Sequence, residues 1–130
     1  MTLSEYIIEA VAKRRSGKYK NGITSEMDPN EVVNIFNENH FREVDGHILV
    51  HWMNMTADSS GTPVFKLRSY SDEKCVYLSV PGGLAYVLTY LPKGNDWLLA
   101  GINRIDNGKV DRRTEESTNL CIDEINEFLK

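Results

Sequence analysis

Five clusters of turn-forming residues divide residues 47–113 into short apolar runs, and this spacing constrains the fold more than any other feature of the sequence. The clusters read DSSGTP, SDEK, PGG, PKGND and DNGK, and the runs between them are rich in Val, Ile, Tyr and Leu. Runs of this length and composition are typical of antiparallel strands joined by tight turns. We therefore predict strands over residues 47–56, 63–71, 75–80, 84–91 and 96–105, with a short sixth at 109–113 after the Asn107–Gly108 turn.

The run LAYVLTYL at 84–91 is ambiguous. Its leucines and Val87 also fit one face of a helix, whereas its two tyrosines, Val87 and Thr89 favour a strand. We place it among the strands, with a helix as the alternative.

Helical patterns flank the predicted sheet. Thr2 and Glu5 form a capping-box pattern before an apolar stripe, which predicts a helix over 3–15. Asp28 can cap a second helix over 29–39, and Pro29 suits its first position.

A third helix is predicted at the C-terminus, where Thr114 or Ser117 can cap it. Its apolar stripe consists of Cys121, Ile122, Ile125, Phe128 and Leu129. Two N-terminal helices, an antiparallel meander of five to six strands and a C-terminal helix packed on the sheet make a single α+β domain.

Composition limits the classes of partner. The formal net charge of −4 gives a field that repels a phosphate backbone and attracts a basic protein, so a nucleic-acid ligand is not expected.

The first apolar run contains Glu5 and Glu9, unlike a signal peptide, and no run is long enough to span a membrane. We therefore expect a cytoplasmic protein without membrane contact.

Two histidines, His47 and His51, stand four residues apart in the run HILVHWMNMT. On a helix this spacing would place both imidazoles on one face, as in zinc-binding helices. On the predicted strand their α-carbons lie roughly 13 Å apart, which is too far for a shared metal ion. No metal site is expected here.

No segment carries a recognisable catalytic motif. The serines lack a GxSxG elbow, and the PGG turn lacks the Gly-Lys-Ser/Thr that completes a phosphate loop. Cys75 and Cys121 lie 46 positions apart without a CxxC, which predicts two free thiols. We expect a protein that binds another protein, with no enzymatic activity and no cofactor.

Acidic residues concentrate near the C-terminus, where residues 111–127 carry six acids against two arginines. Asp106, Asp111, Glu115 and Glu116 are candidates for docking a basic partner. Glu115 and Glu116 also suit the first turn of a helix, whose positive dipole end favours acids.

The predicted first strand is a second candidate interface. From His47 to Ala57 it contains no Lys, Arg, Asp, Glu or Pro, the residues that normally protect a sheet edge. Either a helix covers this strand, or the strand is central, or a partner adds a strand there. The third alternative would use the side chains of His47, His51, Trp52 and Asn54 for specificity.

The layout of the whole chain, with the helix MTLSEYIIEAVAKRR first, the meander next and the helix STNLCIDEINEFLK last, resembles the small immunity proteins of contact-dependent growth inhibition and related bacterial polymorphic toxin systems. These proteins share no common motif, so the resemblance assigns no residue. It implies a cytoplasmic protein that neutralises a cognate toxin domain, often a nuclease. The toxin would typically be basic, which matches the acidic field.

An alternative resemblance is to the cystatin-like cone folds, which hold small molecules or perform acid/base isomerisation. That function requires a pocket lined by polar groups such as His51, Asn54, Tyr70 or Tyr90. The additional C-terminal helix argues against it. A phage- or plasmid-borne inhibitor of a host enzyme would share every feature of the first resemblance.

Overall fold

A mixed sheet organises the protein. The computed structural model describes residues 2–5, 22–44, 61–106, 109–110 and 115–129, with only the backbone of Glu115 and Glu116. Within these ranges the sheet has six strands in the order β1 to β6. The strands are β1 (Arg42–Glu43), β2 (Val64–Ser69), β3 (Lys74–Val80), β4 (Leu84–Lys93), β5 (Asp96–Asp106) and β6 (Lys109–Val110).

The prediction of a purely antiparallel meander is wrong at one edge, because β1 runs parallel to β2. The backbone N–H groups of Arg42 and Val44 donate to the carbonyls of Pro63 and Phe65, each at 3.0 Å. Strand β1 has two residues, both exposed, so it offers no apolar alternation that sequence analysis could detect. The predicted strand at 47–56 lies outside the described residues.

The prediction of a meander is confirmed from β2 to β6, where every neighbouring pair is antiparallel. The ambiguous run at 84–91 belongs to β4, where Leu88 is opposite Val76 on one side and Ile102 on the other. The register between β4 and β5 shifts at Thr89 and Tyr90. Of the predicted strand at 109–113, residues 109–110 form β6, and residues 111–113 lie outside the described residues.

The predicted helix boundaries can be compared at three places. Helix α1 (Pro29–Glu38) begins after Asp28, whose Oδ1 accepts a 2.9 Å hydrogen bond from the Glu31 N–H, as its capping role predicts. Helix α2 (Glu115–Phe128) begins before Ser117, so Ser117 does not cap it, and Thr114 lies outside the described residues.

At the N-terminus, the Thr2 N–H donates to Glu5 Oε2 at 3.0 Å and the Glu5 N–H donates to Thr2 Oγ1 at 3.1 Å. These reciprocal bonds confirm the predicted capping box. Residues 3–5 are helical, and the remainder of the predicted helix at 3–15 lies outside the described residues.

Both helices contribute to a hydrophobic core on one face of the sheet. Phe36 of α1 stacks on Phe41 with a ring separation of 5.2 Å and meets Phe65 of β2 at 5.5 Å. The core side chains on the strands and on α2 include Val76, Leu78, Val80, Tyr86, Leu88, Tyr90, Ile102, Cys121, Ile122, Ile125 and Leu129. The described helix α2 therefore packs on the sheet as expected.

A side-chain clamp fixes α2 to the segment before α1. Asn126 Oδ1 accepts from the Ile23 N–H at 2.8 Å, and Asn126 Nδ2 donates to the Ile23 carbonyl at 3.0 Å. The adjacent Gly22 has a φ of +90°, and a Cβ there would lie 2.0 Å from Asn126 Oδ1. Only glycine fits this approach.

Candidate protein-binding site

The structure describes some of the predicted partner-binding residues. His47, His51, Trp52, Asn54 and Asp111 lie outside the described residues, so the edge-strand and histidine hypotheses stay predictions. Glu115 and Glu116 are the first two residues of α2. Asp106 is the last residue of β5, opposite Lys109 of β6.

Asp106 lies beside a second carboxylate, and Arg104 contacts both. Arg104 Nη1 is 3.4 Å from Asp106 Oδ2, and Arg104 Nε donates to Glu124 Oε2 at 3.0 Å. The Tyr86 hydroxyl donates to the same Glu124 oxygen at 2.5 Å. Strands β4 and β5 place Tyr86 opposite Arg104, and α2 brings Glu124 over this pair.

These contacts hold Glu124 in one position while part of it faces solvent. Its side chain is 43% exposed, whereas Tyr86 is fully buried. Burial, followed by the hydrogen bond to Glu124, raises the pKa of Tyr86, which keeps the phenol protonated and able to donate. Glu124 is thus a pre-positioned hydrogen-bond acceptor at the surface.

The exposed side of α2 continues this acidic surface. Leu120, Asp123 and Glu127 are exposed, and Glu124 lies on the flank towards Arg104. Residues three and four positions apart are neighbours on a helix, so Leu120 has Asp123 and Glu124 beside it. We call Leu120, Asp123, Glu124 and Glu127 the acidic helix face.

The helix dipole does not explain the last acid of this face. Glu127 lies in the last turn of α2, which contains no basic residue. The negative end of the helix dipole lies there, and an acid at that end is unfavourable by about 0.3–1 kcal/mol at most surface sites. The dipole accounts for acids at the start of α2 but not for Glu127.

Sequence analysis missed Tyr86, Arg104 and Leu120. The first two form a pair across β4 and β5, and a single sequence without register carries no signal for it. Leu120 could have been found, because it stands outside the apolar stripe that begins at Cys121. An apolar residue out of phase with its helix stripe indicates exposure.

The two described residues of the suggested cone-fold pocket, Tyr70 and Tyr90, do not line one cavity. Tyr90 is fully buried in the core beneath the helices. Tyr70 is exposed, beyond Arg68 on the opposite face of the sheet, and its ring lies 5.7 Å from the Arg68 guanidinium carbon. His51 and Asn54 lie outside the described residues.

Cys75 belongs to the sheet face opposite the helices, in the row that pairs it with Arg68 and Thr89. Burial and the nearby Glu73 carboxylate raise the pKa of its thiol. The thiolate is the nucleophilic form of cysteine, and these surroundings disfavour it. Cys75 and Cys121 are not joined by a disulfide, and Cys121 lies in the core on the other face.

Trp97 is partly buried against the core, and Lys74 Nζ lies 4.7 Å from its ring centroid. Across the described ranges, no group of three His, Cys, Asp or Glu side chains is placed to hold a metal ion. The helices within those ranges include none with the length and apolar character needed to cross a membrane.

Comparison of the chain with protein-family models, with curated proteins and with solved structures found no match.

Proposed function

We propose that this protein is a cytoplasmic immunity protein, which binds and neutralises a basic toxin domain through direct protein–protein contact. The acidic helix face carries the proposal, because it presents three carboxylates around an exposed leucine on a packed helix. A nuclease domain is one suitable class of partner, since a surface that binds phosphates is basic.

Charge supports this surface as the docking point. Arg104 contacts the carboxylates of Asp106 and Glu124, Asp123 and Glu127 lie on the same helix as Glu124, and the whole chain has a formal net charge of −4. Complementary fields accelerate the encounter of two proteins and orient them. An inhibitor must capture its toxin quickly, so a fast association suits this function.

The rigidity of α2 also supports the acidic helix face as the docking point. Cys121, Ile125 and Leu129 fix the inner side of α2 in the core, and Asn126 clamps it to Ile23. A surface on a fixed helix loses little conformational entropy when it binds.

A pull-down from cells that express the protein tests the proposal. The bait variants are Asp123→Lys/Glu127→Lys and, as a control with the same change in charge, Asp72→Lys/Asp96→Lys. All four acids are exposed; in the control pair, Asp72 lies between β2 and β3 and Asp96 is the first residue of β5.

The wild-type and control baits should capture the same basic protein, and adding either should suppress that protein's activity. The Asp123→Lys/Glu127→Lys bait should lose both effects. Equal capture by both double variants would contradict the proposed surface, and capture without inhibition would contradict the immunity function.

A further inference from the structure

We infer that Leu120 is the anchor of the acidic helix face, and that the partner surface presents an apolar pocket rimmed by lysine or arginine side chains. The inference rests on the proposed function and specifies the partner's chemistry. Leu120 carries no charge, so its role does not follow from the acidity of this face.

The surroundings of Leu120 distinguish it from Leu91 and Leu98, the two exposed leucines of the sheet. Single exposed leucines are ordinary on protein surfaces. Leu91 and Leu98, which are 45% and 41% exposed, are opposite each other on β4 and β5, so each has an apolar neighbour. Leu120 is 57% exposed, and its neighbours at three and four positions along the helix are Glu116, Ser117, Asp123 and Glu124.

Leu120 therefore gains nothing from side-chain pairing within its own helix. Apolar pairs three or four residues apart stabilise helices, and this position has no such partner in the sequence. Its side chain lies on the outer side of α2, whereas Cys121 and Ile122 reach the core.

The carboxylates decide which pocket fits. An apolar pocket with an acidic or uncharged rim would remove the exposed Asp123 carboxylate from water without providing a countercharge as it closed over Leu120, which is unfavourable. A basic rim would place ammonium or guanidinium groups against Asp123, Glu124 and Glu127. Glu124 is already oriented by Tyr86 and Arg104, so its oxygens are pre-positioned for such a group.

This arrangement resembles the organisation of strong interfaces, in which a buried apolar anchor lies at the centre and polar contacts surround it. The apolar anchor contributes affinity that salt does not screen, and the acids contribute association rate. Removing Leu120 should therefore weaken binding about tenfold or more, in line with the free energy of burying a leucine side chain.

Two synthetic octapeptides of equal charge test the anchor. One alternates lysine with leucine, and the other alternates lysine with serine. Each is titrated into the isotopically labelled protein while amide resonances are followed by NMR, for the wild type, Leu120→Ala and the control Leu91→Ala.

The lysine–leucine peptide should shift amide resonances within residues 117–128 and bind at least about fivefold more tightly than the lysine–serine peptide. Leu120→Ala should remove most of this difference, and Leu91→Ala should retain it. If both peptides bind the helix equally and Leu120→Ala does not change their affinity, the role of Leu120 as an anchor is wrong, whereas the acidic helix face remains the binding surface. Absence of shifts at the helix, or shifts confined to Leu91 and Leu98, would overturn the anchor and the proposed surface together.

Discussion

The two sides of α2 differ in what they contact. The inner side, with Cys121, Ile125 and Leu129, is buried against the sheet, and the outer side, with Leu120 and Asp123, is exposed to solvent. Both sides belong to one helix with the same backbone. We therefore expect the inner side chains of α2 to determine stability and the outer side chains to determine binding.

This division makes the account easy to test, because a change on the inner side should alter folding and a change on the outer side should alter binding. The flanks are intermediate cases. Asn126 clamps one flank to Ile23, and Glu124 joins the other flank to Tyr86 and Arg104.

The largest expected effect is the loss of Ile125, which is fully buried. Ile125→Ala should lower the free energy of unfolding by about 2–5 kcal/mol, because it removes buried methyl groups and leaves a cavity. Leu120→Ala on the outer side should change it by less than about 0.5 kcal/mol. Urea denaturation measures both, and similar losses for the two variants would mean that the sides are not distinct.

The clamp should have an intermediate effect. Asn126→Ala removes both hydrogen bonds to the Ile23 backbone. Ile23 is buried, so its N–H and carbonyl then lose the partner that Asn126 provided. We expect a loss of about 1–3 kcal/mol in the free energy of unfolding. Asn119→Ala, at an exposed position of the same helix, serves as the control. A loss in the control as large as that of Asn126→Ala would show that general helix effects, and not the clamp, set the stability.

Two buried tyrosines on one face of β4 offer a matched pair. The Tyr86 hydroxyl donates to Glu124, whereas the Tyr90 hydroxyl has no hydrogen-bond partner among the residues that the structure describes. Tyr86→Phe should lower the free energy of unfolding by about 1–2 kcal/mol, since its partner is charged. Tyr90→Phe should be neutral or stabilising. A larger loss of stability for Tyr90→Phe than for Tyr86→Phe, measured by thermal denaturation, would contradict the hydrogen bonding described for these two tyrosines.

The raised pKa of Tyr86 predicts that the stability of the protein depends on pH. The pKa of Tyr86 is raised in the folded protein, chiefly by burial, so above pH 10 the unfolded chain loses this proton before the folded protein does. Stability should therefore fall as the pH rises above the unfolded pKa, with Tyr86 contributing up to about 1.4 kcal/mol per pH unit. Urea denaturation between pH 9 and 11 should give a shallower decline for Tyr86→Phe, and identical declines would contradict this linkage.

Much of the fold follows from local patterns. Turn clusters and β-branched runs located β2 to β5, and Asp28 with Pro29 located the start of α1, because each signal lies within a few residues of its element. Strand β1 escaped detection because its two residues carry no periodicity, and its parallel pairing depends on contacts with residues more than twenty positions away.

The candidate site was less accessible to sequence analysis. The sequence indicated an acidic region near the C-terminus, and Asp106 is part of the surface found there. The pairing of Tyr86, Arg104 and Glu124 depends on strand register and on where α2 crosses the sheet, and neither can be read from a single chain. The out-of-phase Leu120 was visible in the sequence, but its meaning required the exposure of its neighbours.

Hydroxyl-radical footprinting of the protein, alone and bound to the basic protein that the pull-down captures, tests whether that partner docks on the acidic helix face. Radicals oxidise exposed leucine side chains, and Leu120, Leu91 and Leu98 report on different parts of the surface. We expect the partner to protect Leu120 from oxidation while Leu91 and Leu98 react as before. Unchanged oxidation of Leu120 in the complex, or protection of Leu91 and Leu98 in its place, would contradict it.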